Sequence, residues 1–185
     1  MSVQIHQFGY ATTMRETDPT DTPIEIDPAH FRSVLGHYPT GVCVVSGWRE
    51  PGSAAGLAIG TFTSVSLDPP LVGFCPDKRS SSWPLMRRSG RFCVNVLGAD
   101  QHALSRKFAT RGVDKFHGVS HSLSKHGLPV LDGVVAAIEC DIAAEHDAGD
   151  HLFVIGRVLS LEILRPAAPL LYFKGSYGTF TALDH

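Results

Sequence analysis

The sequence predicts a mainly β protein, folded as a closed or nearly closed barrel with a few short flanking helices. Short runs rich in strand-forming residues recur along the chain and end at glycine, proline or aspartate. A long β-rich tract over 134–164 is broken at Asp147–Asp150, which fits a hairpin. Helical spacing is confined to short segments, so a barrel is favoured over a doubly wound sheet.

The first elements follow an uninformative N-terminus. Residues 1–27 lack sustained periodicity and are predicted to form a mobile arm, or a strap on a partner subunit, ahead of one domain over 28–185. The domain is expected to begin with a helix over Pro28–Gly36, where apolar residues recur at helical spacing before a glycine stop. A buried strand over Val42–Ser46 follows, and a second short helix is predicted over Gln101–Ala109.

Two strands are predicted on either side of a proline pair. Thr61–Leu67 is rich in β-forming residues and stops at Asp68-Pro69-Pro70. Leu71–Cys75 is continuously apolar, which is typical of a strand covered on both faces. It ends at the polar turn Pro76–Arg79, which carries two cations. A further strand is predicted over Arg91–Leu97.

A short helix with clear ends is predicted from Ser80–Ser82 to Gly90. Serine suits the N-cap, proline the first turn and glycine the position after the last turn. A helix start carries free N–H groups and a partial positive charge, so the serine hydroxyls with Lys78 and Arg79 would make a receptor for a phosphate. An ordinary capped helix beside two solvated cations explains the same residues, and both interpretations stay open.

Composition restricts the classes of function. A chain of 185 residues, 43% of them hydrophobic, suits one domain with an adequate core. Its net charge of −2 gives no electrostatic reason to expect a nucleic acid or an acidic membrane surface as partner. The 4 cysteines lie far apart with no C-x-x-C pair, so neither a disulfide framework nor a zinc site is indicated. The N-terminus lacks a basic start followed by an apolar stretch, and a cytoplasmic location is expected.

Several segments, in order along the chain, resemble one family. They are GHYPTGVCVVSG, TFTSVSLDPPLVGFC, SSSWPLMRRSGRFCVNVL, DKFHGV, GDHLFVIGRV and PLLYFKGSYG. Together they are similar to the flavin reductase-like, FMN-binding split-barrel family, in particular to the small reductase components of two-component flavin-dependent monooxygenases. The match runs from about Phe31 to Phe180. It implies a Greek-key-like split β-barrel that binds a flavin.

The resemblance also implies which residues hold the flavin. Strands similar to TFTSVS follow the edge of the isoalloxazine ring, segments similar to CPDKRSSSW hold the ribityl phosphate, and helices similar to ALSRKFA form a second wall on the phosphate side. The implied ring contacts are Thr61, Phe62, Thr63 and Ser64. The implied phosphate contacts are Cys75 through its backbone, Lys78, Ser80, Ser81 and Ser82. The implied second wall is Ser105, Arg106 and Phe108, and Tyr177 is expected to line the pocket unless it is a core residue.

His151 is the predicted catalytic residue. The family's G-D-H motif matches the segment that ends at His151, and it places the imidazole near the nicotinamide and the flavin, where it could position the carboxamide or pair with reduced flavin. The alternative is a hairpin histidine that is hydrogen-bonded to Asp150. His117 and His121 have the spacing of a helical metal pair, but the glycine between them favours a loop, and no metal site is expected.

The resemblance implies transfer of a hydride from NADH or NADPH to FMN or FAD, with release of the reduced flavin to a separate monooxygenase. Neither G-x-G-x-x-G nor a P-loop motif occurs, so the nicotinamide must dock on the bound flavin, with its C4 roughly 3 to 3.5 Å from flavin N5. A homodimer with flavin sites at the subunit interface is also implied. Two alternatives remain open: a slow or non-catalytic flavoprotein that keeps FMN for electron transfer or sensing, and a flavoprotein with substrate chemistry of its own.

Overall fold

The computed structural model describes residues 25–183, so the predicted N-terminal arm lies outside the described residues except for residues 25–27. Helix α1 spans Pro28–Leu35, close to its predicted bounds. Its first turn is capped by Asp27, whose carboxylate accepts a hydrogen bond of 2.8 Å from the backbone N–H of His30. None of the side chains of α1 is buried.

Strands dominate the rest of the described chain, in agreement with the predicted class. The strands are β1 (Thr40–Gly41), β2 (Cys43–Glu50), β3 (Ser53–Ile59), β4 (Thr63–Leu67), β5 (Pro70–Phe74), β6 (Arg91–Val96), β7 (His121–Leu123), β8 (Pro129–Leu131), β9 (Ala136–Ala148), β10 (His151–Ile163), β11 (Leu170–Phe173) and β12 (Ser176–Thr179). The remaining helices are α2 (Trp83–Met86) and α3 (His102–Ala109), with 3-10 turns at Arg87–Ser89 and Ala99–Gln101. Within residues 25–183, no helix is both long and apolar enough to cross a bilayer.

A seven-stranded antiparallel sheet forms the barrel, in the order β3-β2-β6-β9-β10-β5-β4. The edge strands β3 and β4 follow each other in sequence but are not paired, so the ring of hydrogen bonds stays open there. Side chains from one face of the sheet nevertheless meet in a single core, which requires the sheet to curl. This core contains Cys43, Val45, Leu57, Ile59, Val72, Phe74, Phe92, Val94, Cys140 and Val154, closed by Trp83 and Met86 of α2.

Three aromatic rings fill the centre of this core. Phe74 packs edge to face on Trp83 and on Phe92, with ring centroids 5.2 Å apart in both pairs. The indole N–H of Trp83 donates a 2.9 Å hydrogen bond to Glu145 on β9. The helix predicted up to Gly90 is shorter than expected. Only one α-helical turn forms, with Trp83 and Met86 buried in the core. The chain then continues as a 3-10 turn that ends at Gly90, where φ is 72°.

A second core covers the outer face of β2 and β6. Helix α3, the β7–β8 hairpin and the small β1-β11-β12 sheet supply it, with Phe108, Leu128, Leu131 and Leu170 fully or almost fully buried. The cysteines are free, as predicted, and Cys43, Cys93 and Cys140 are buried. The barrel wall therefore has apolar packing on both faces along Val42–Val45 and Phe92–Val94, which is why these runs are apolar without alternation.

The predicted hairpin in the long β-rich tract is present. Strands β9 and β10 pair along their whole length, and Gly149 and Asp150 form the turn between Ala148 and His151. Gly149 has φ of 65°, which a residue without Cβ adopts at no steric cost. His151 is thus held at the first position of β10.

A buried carboxylate fastens the β7–β8 hairpin to the barrel. Glu139 on β9 is only 4% exposed. It accepts hydrogen bonds from the hydroxyls of Ser124 and Ser160 and from the backbone N–H of His126. Because every one of these donors would otherwise be partly buried without a partner, the carboxylate is a structural requirement.

We expect Glu139→Gln to lower the free energy of unfolding at pH 7 by about 1–3 kcal/mol, since hydrogen bonds to a charged group are weakened. Burial alone would raise the pKa of Glu139, but the hydrogen bonds from Ser124, Ser160 and His126 hold this pKa below its ordinary value. The stabilisation is therefore complete above the unfolded pKa, about 4.3, and is lost as pH falls through the folded pKa. Urea unfolding at pH 7 and pH 3 measures it.

The exposed Glu50→Gln variant is the matched control, since it removes a carboxylate without these contacts. If Glu139→Gln lowers the free energy of unfolding as much at pH 3 as at pH 7, this account is contradicted.

Candidate functional site

A cleft of about 290 Å³ opens beside the end of β3, between α3 and the loop that follows β5. We call it the central cleft. It brings together residues from four parts of the chain that are distant in sequence, namely 57–61, 75–81, 108–115 and 151. Its lining includes Leu57, Ala58, Ile59, Gly60, Thr61, Cys75, Pro76, Asp77, Ser80, Ser81, Phe108, Ala109, Arg111, Lys115 and His151. Of the predicted site residues, Thr61, Cys75, Ser80, Ser81, Phe108 and His151 therefore meet in one place.

The apolar wall of the central cleft depends on a close contact between α3 and β3. Phe108 is 0% exposed, and its ring lies over Gly56 on β3. A Cβ at Gly56 would lie 2.6 Å from Cε1 of that ring. Only glycine allows the helix to approach so closely, and this approach brings Phe108 beside Ala58 at the cleft wall.

Thr61 and Cys75 fasten the two strand ends at the rim of the cleft. The Thr61 hydroxyl accepts a 2.9 Å hydrogen bond from the backbone N–H of Cys75. The contact joins the segment that leaves β3 to the end of β5. The backbone of Cys75, which the resemblance assigns to the phosphate, thus already has one partner for its N–H group.

The serine segment is arranged differently from the predicted N-cap. Ser80, and not Ser82, accepts from the backbone N–H groups of Ser82 and Trp83, each at 3.3 Å. Ser82 is 6% exposed, and its hydroxyl accepts a 3.1 Å hydrogen bond from Lys115 Nζ. Ser81 is exposed and lines the central cleft. The difference arises because Lys115, from another part of the chain, recruits the Ser82 hydroxyl.

The two cations predicted near the phosphate form ion pairs with carboxylates. Lys78 forms a 2.8 Å ion pair with Asp147 on the β9–β10 hairpin. Arg79 forms a 2.8 Å ion pair with Asp77, and hydrogen bonds from Arg79 hold the pKa of the Asp77 carboxyl well below its usual range. Lys78 does not line the central cleft, and its assignment to the phosphate stays a prediction.

The cations that do line the central cleft are Arg111 and Lys115, which sequence reasoning missed. Lys115 Nζ donates to the carbonyl of Gly56 at 3.2 Å and to Ser82 at 3.1 Å, so the ammonium has a defined place. Its partial burial lowers its pKa. The signal that could have found it is the DKF segment, which matches the family and places a lysine beside an apolar ring.

His151 lies at the edge of the central cleft, where one ring nitrogen has a partner. Its Nδ1 lies 2.7 Å from Oδ1 of Asp150. An ionised carboxylate only accepts, so Nδ1 carries a proton and Nε2 is the free ring nitrogen. The hydrogen bond from His151 lowers the pKa of the Asp150 carboxyl, which keeps that carboxyl ionised. The hairpin partner Asp150 is present, and His151 also lines the cleft; its catalytic role stays a prediction.

The other predicted residues lie around the central cleft. The Phe62 side chain packs against the barrel core, and Thr63 and Ser64 are exposed on the edge strand β4. Ser105 and Tyr177 line a small adjoining pocket of about 200 Å³ that shares Ala58, Ile59, Gly60 and Ala109 with the cleft. Ser82 and Lys115 line another, of about 360 Å³. Arg106 lines a groove beyond Tyr177. Their flavin contacts stay predictions.

The residues present fit a flavin mononucleotide. One wall is apolar, with Ala58, Ile59 and Phe108, and suits a flat ring system. The other wall carries the hydroxyls of Ser80 and Ser81 with Arg111 and Lys115. Arg111 is paired with Asp77 at 3.5 Å, so Lys115 is the cation that suits a phosphate. Across residues 25–183, no three His, Cys, Asp or Glu side chains group as metal ligands would.

Comparison with known proteins gives consistent matches. The family model described as "Flavin reductase like domain" matches residues 35–181. A flavin reductase of Pseudomonas putida is 49% identical over 158 residues, which cover 85% of this chain and 93% of that protein. The flavin-dependent monooxygenase reductase subunit HsaB of Rhodococcus jostii (strain RHA1) is 45% identical, over 82% of this chain and 77% of that protein.

Solved structures agree with these matches. Nitrilotriacetate monooxygenase component B from Mycobacterium thermoresistibile superimposes with a TM-score of 0.79 and 42% sequence identity, over 83% of this chain and 86% of that one. The family match begins in α1 and extends past β12, so it includes all twelve strands and every residue of the central cleft. The mainly β split barrel predicted from the ordered segments is confirmed, and the chain belongs to the flavin reductase-like domain family.

Proposed function

We propose that the protein is an NAD(P)H:flavin oxidoreductase that transfers a hydride from NADH or NADPH to FMN or FAD. The observation that carries the proposal is the division of the central cleft into two chemical parts. Phe108 and β3 supply an apolar wall, while Ser81, Arg111 and Lys115 supply hydroxyl and cationic groups. A flavin nucleotide has the same division, because its ring is flat and its phosphate is anionic.

The side chains of the cleft have separate tasks in this proposal. The flavin supplies the atom that accepts the hydride. Phe108 and Ile59 exclude water from one side of the ring, and Lys115 binds the phosphate from a position fixed by Gly56 and Ser82. A cation held in place before binding loses little entropy when the phosphate arrives.

His151 is the residue that we propose contacts the reacting rings. Asp150 holds Nδ1, so the orientation of the imidazole is set before any ligand binds. The free Nε2 can then accept a hydrogen bond from the nicotinamide carboxamide and align the nicotinamide with the flavin. The position at the start of β10 supports this role, because a strand end is more rigid than a loop.

We further propose that the reduced flavin passes to a separate monooxygenase in the cytoplasm. The names of two similar proteins support this, since one is a reductase subunit and the other a monooxygenase component.

A homodimer is supported by exposed apolar side chains. Phe31 and Leu35 on α1 are 53% and 54% exposed, and Leu67 on the edge strand β4 is 93% exposed. Sedimentation of the purified protein at a dimer mass is the expected result.

The activity is tested by NADH and NADPH oxidation at 340 nm, with FMN or FAD in excess over enzyme and a control without flavin. We expect many turnovers that depend on added flavin, because a reductase that supplies another enzyme must release its product. Tight flavin binding without oxidation would refute the proposal and favour a bound-flavin module for electron transfer or sensing.

We expect His151→Ala to slow flavin reduction by at least about tenfold, because loss of a positioned hydrogen-bonding group costs catalysis at least that much. The measurement is single-turnover reduction by NADH, with flavin affinity and thermal unfolding recorded in parallel. His117→Ala, in an exposed loop, is the control. Reduction at the parent rate in His151→Ala would remove this residue from the mechanism.

We expect Lys115→Met to raise the Kd of FMN by roughly five- to tenfold, since one charge-assisted hydrogen bond is lost. Riboflavin, which has no phosphate, should bind parent and variant alike. Because burial lowers the pKa of Lys115, FMN affinity of the parent should also weaken at a lower alkaline pH than an ordinary lysine would require.

Fluorescence titration measures both affinities, and exposed Lys125→Met is the matched control. If riboflavin affinity falls as much as FMN affinity, Lys115 supports the shape of the cleft and does not bind the phosphate.

A further inference from the structure

Asp77 is an unexpected group to find in the central cleft. The cleft is proposed to take a phosphate, and among the described residues that line it Asp77 is the one that is acidic. A carboxylate disfavours a phosphate beside it, because like charges placed next to each other destabilise a complex. Neither the apolar wall nor the proposed hydride transfer requires a negative charge at this position.

The backbone of Asp77 is held at the cleft by the start of β10. Asp77 lies directly opposite His151 in an isolated antiparallel bridge. Two backbone hydrogen bonds of 3.0 Å, one on each side, flank this pair. Side chains of directly opposite residues lie on the same face, and both of these side chains line the cleft. The carboxylate therefore has a fixed place beside the proposed ligand.

The turn that contains Asp77 does not need its charge. One carboxylate oxygen accepts a 2.7 Å hydrogen bond from the backbone N–H of Arg79, and the amide oxygen of an asparagine would accept the same bond. The Arg79 guanidinium also pairs with the carboxylate at 2.8 Å, but exposed pairs of this kind contribute little to stability. Hydrogen bonds from Arg79 lower the pKa of Asp77, so the carboxylate stays ionised and can act on the cleft.

The same carboxylate contacts a cation that lines the cleft. Arg111 follows α3, and its Nη2 lies 3.5 Å from Oδ2 of Asp77. This contact is longer than the 2.8 Å pair with Arg79 and uses one guanidinium nitrogen, whereas a strong arginine–carboxylate pair uses two shorter contacts. The Arg111 side chain is 66% exposed, against 24% for that of Asp77. A fixed carboxylate thus holds Arg111 weakly, and the guanidinium can turn to another anion in the cleft.

We infer that Asp77 competes with the flavin phosphate for Arg111 and so keeps flavin affinity low enough for release. Before flavin binds, Arg111 pairs with Asp77. A phosphate that enters the cleft takes the guanidinium from the carboxylate, and the carboxylate takes it back when the flavin leaves. This inference rests on the proposed function, because a reductase that supplies another enzyme has to lose its flavin in each cycle.

The test compares Asp77→Asn with the parent by fluorescence titration of FMN. We expect the variant to bind FMN about tenfold more tightly, because Arg111 is then free to pair with the phosphate. Riboflavin, which has no phosphate, should bind both proteins alike. Release of FMN, followed by stopped-flow dilution of the complex, should slow by about the same factor, since affinity differences at one site lie mostly in the dissociation rate.

Further variants show whether the gain passes through Arg111. Arg111→Gln should weaken FMN binding, and the addition of Asp77→Asn to it should then give a gain of about twofold at most, from direct repulsion alone. Asp141→Asn is the matched control, because Asp141 is also paired with two arginines, Arg91 and Arg157, but does not line the cleft. Thermal unfolding of each variant confirms that it is folded.

The inference is overturned if Asp77→Asn binds FMN no more tightly than the parent, if riboflavin gains as much as FMN, or if the gain is equally large without Arg111. A gain of the same size in Asp141→Asn would also overturn it, since net charge would then explain the effect. The proposed function fails by a different result, namely no flavin-dependent oxidation by the parent. Because the titrations do not depend on turnover, the two failures can be told apart.

Discussion

The docking of Phe108 on Gly56 determines the shape of the outer face of this barrel. It fixes the distance between α3 and β3, because any Cβ at position 56 would collide with the ring. On one side of the helix, this close approach places Phe108 in the wall of the central cleft. On the other side, Ser105 lies within hydrogen-bond reach of Tyr177. One ring in van der Waals contact with one backbone therefore positions groups in both places.

Of the two cations that line the central cleft, Arg111 lies 3.5 Å from the Asp77 carboxylate, whereas Lys115 has no carboxylate partner among the described residues. Lys78 and Arg79 at the rim are paired with the carboxylates of Asp147 and Asp77. Lys115 instead donates to a carbonyl and a hydroxyl, which leave its charge uncompensated. Such a cation attracts a phosphate more strongly than a cation that is paired with a carboxylate. Holding Lys115 there costs part of its hydration, which lowers its pKa.

Local signals predicted most of the barrel. The proline pair after Leu67 separates β4 from β5, and the break at Gly149–Asp150 separates β9 from β10, because turn chemistry is set by nearby residues. The site was predicted only in part. The sequence places Lys78 next to the serines, but its ion pair with Asp147 and the hydrogen bond from Lys115 to Ser82 depend on contacts between distant segments. Periodicity and spacing do not carry that information.

Burial of the cysteine thiols affects the resistance of the protein to oxidation. Reduced flavin that meets oxygen before it reaches an oxygenase yields hydrogen peroxide, which attacks thiolates far faster than thiols. Burial raises the pKa of Cys43, Cys93 and Cys140 to about 12. At neutral pH these side chains are almost entirely protonated and shielded by the barrel wall. The catalyst can therefore work beside its own oxidising by-product without losing its core to sulfenic acid.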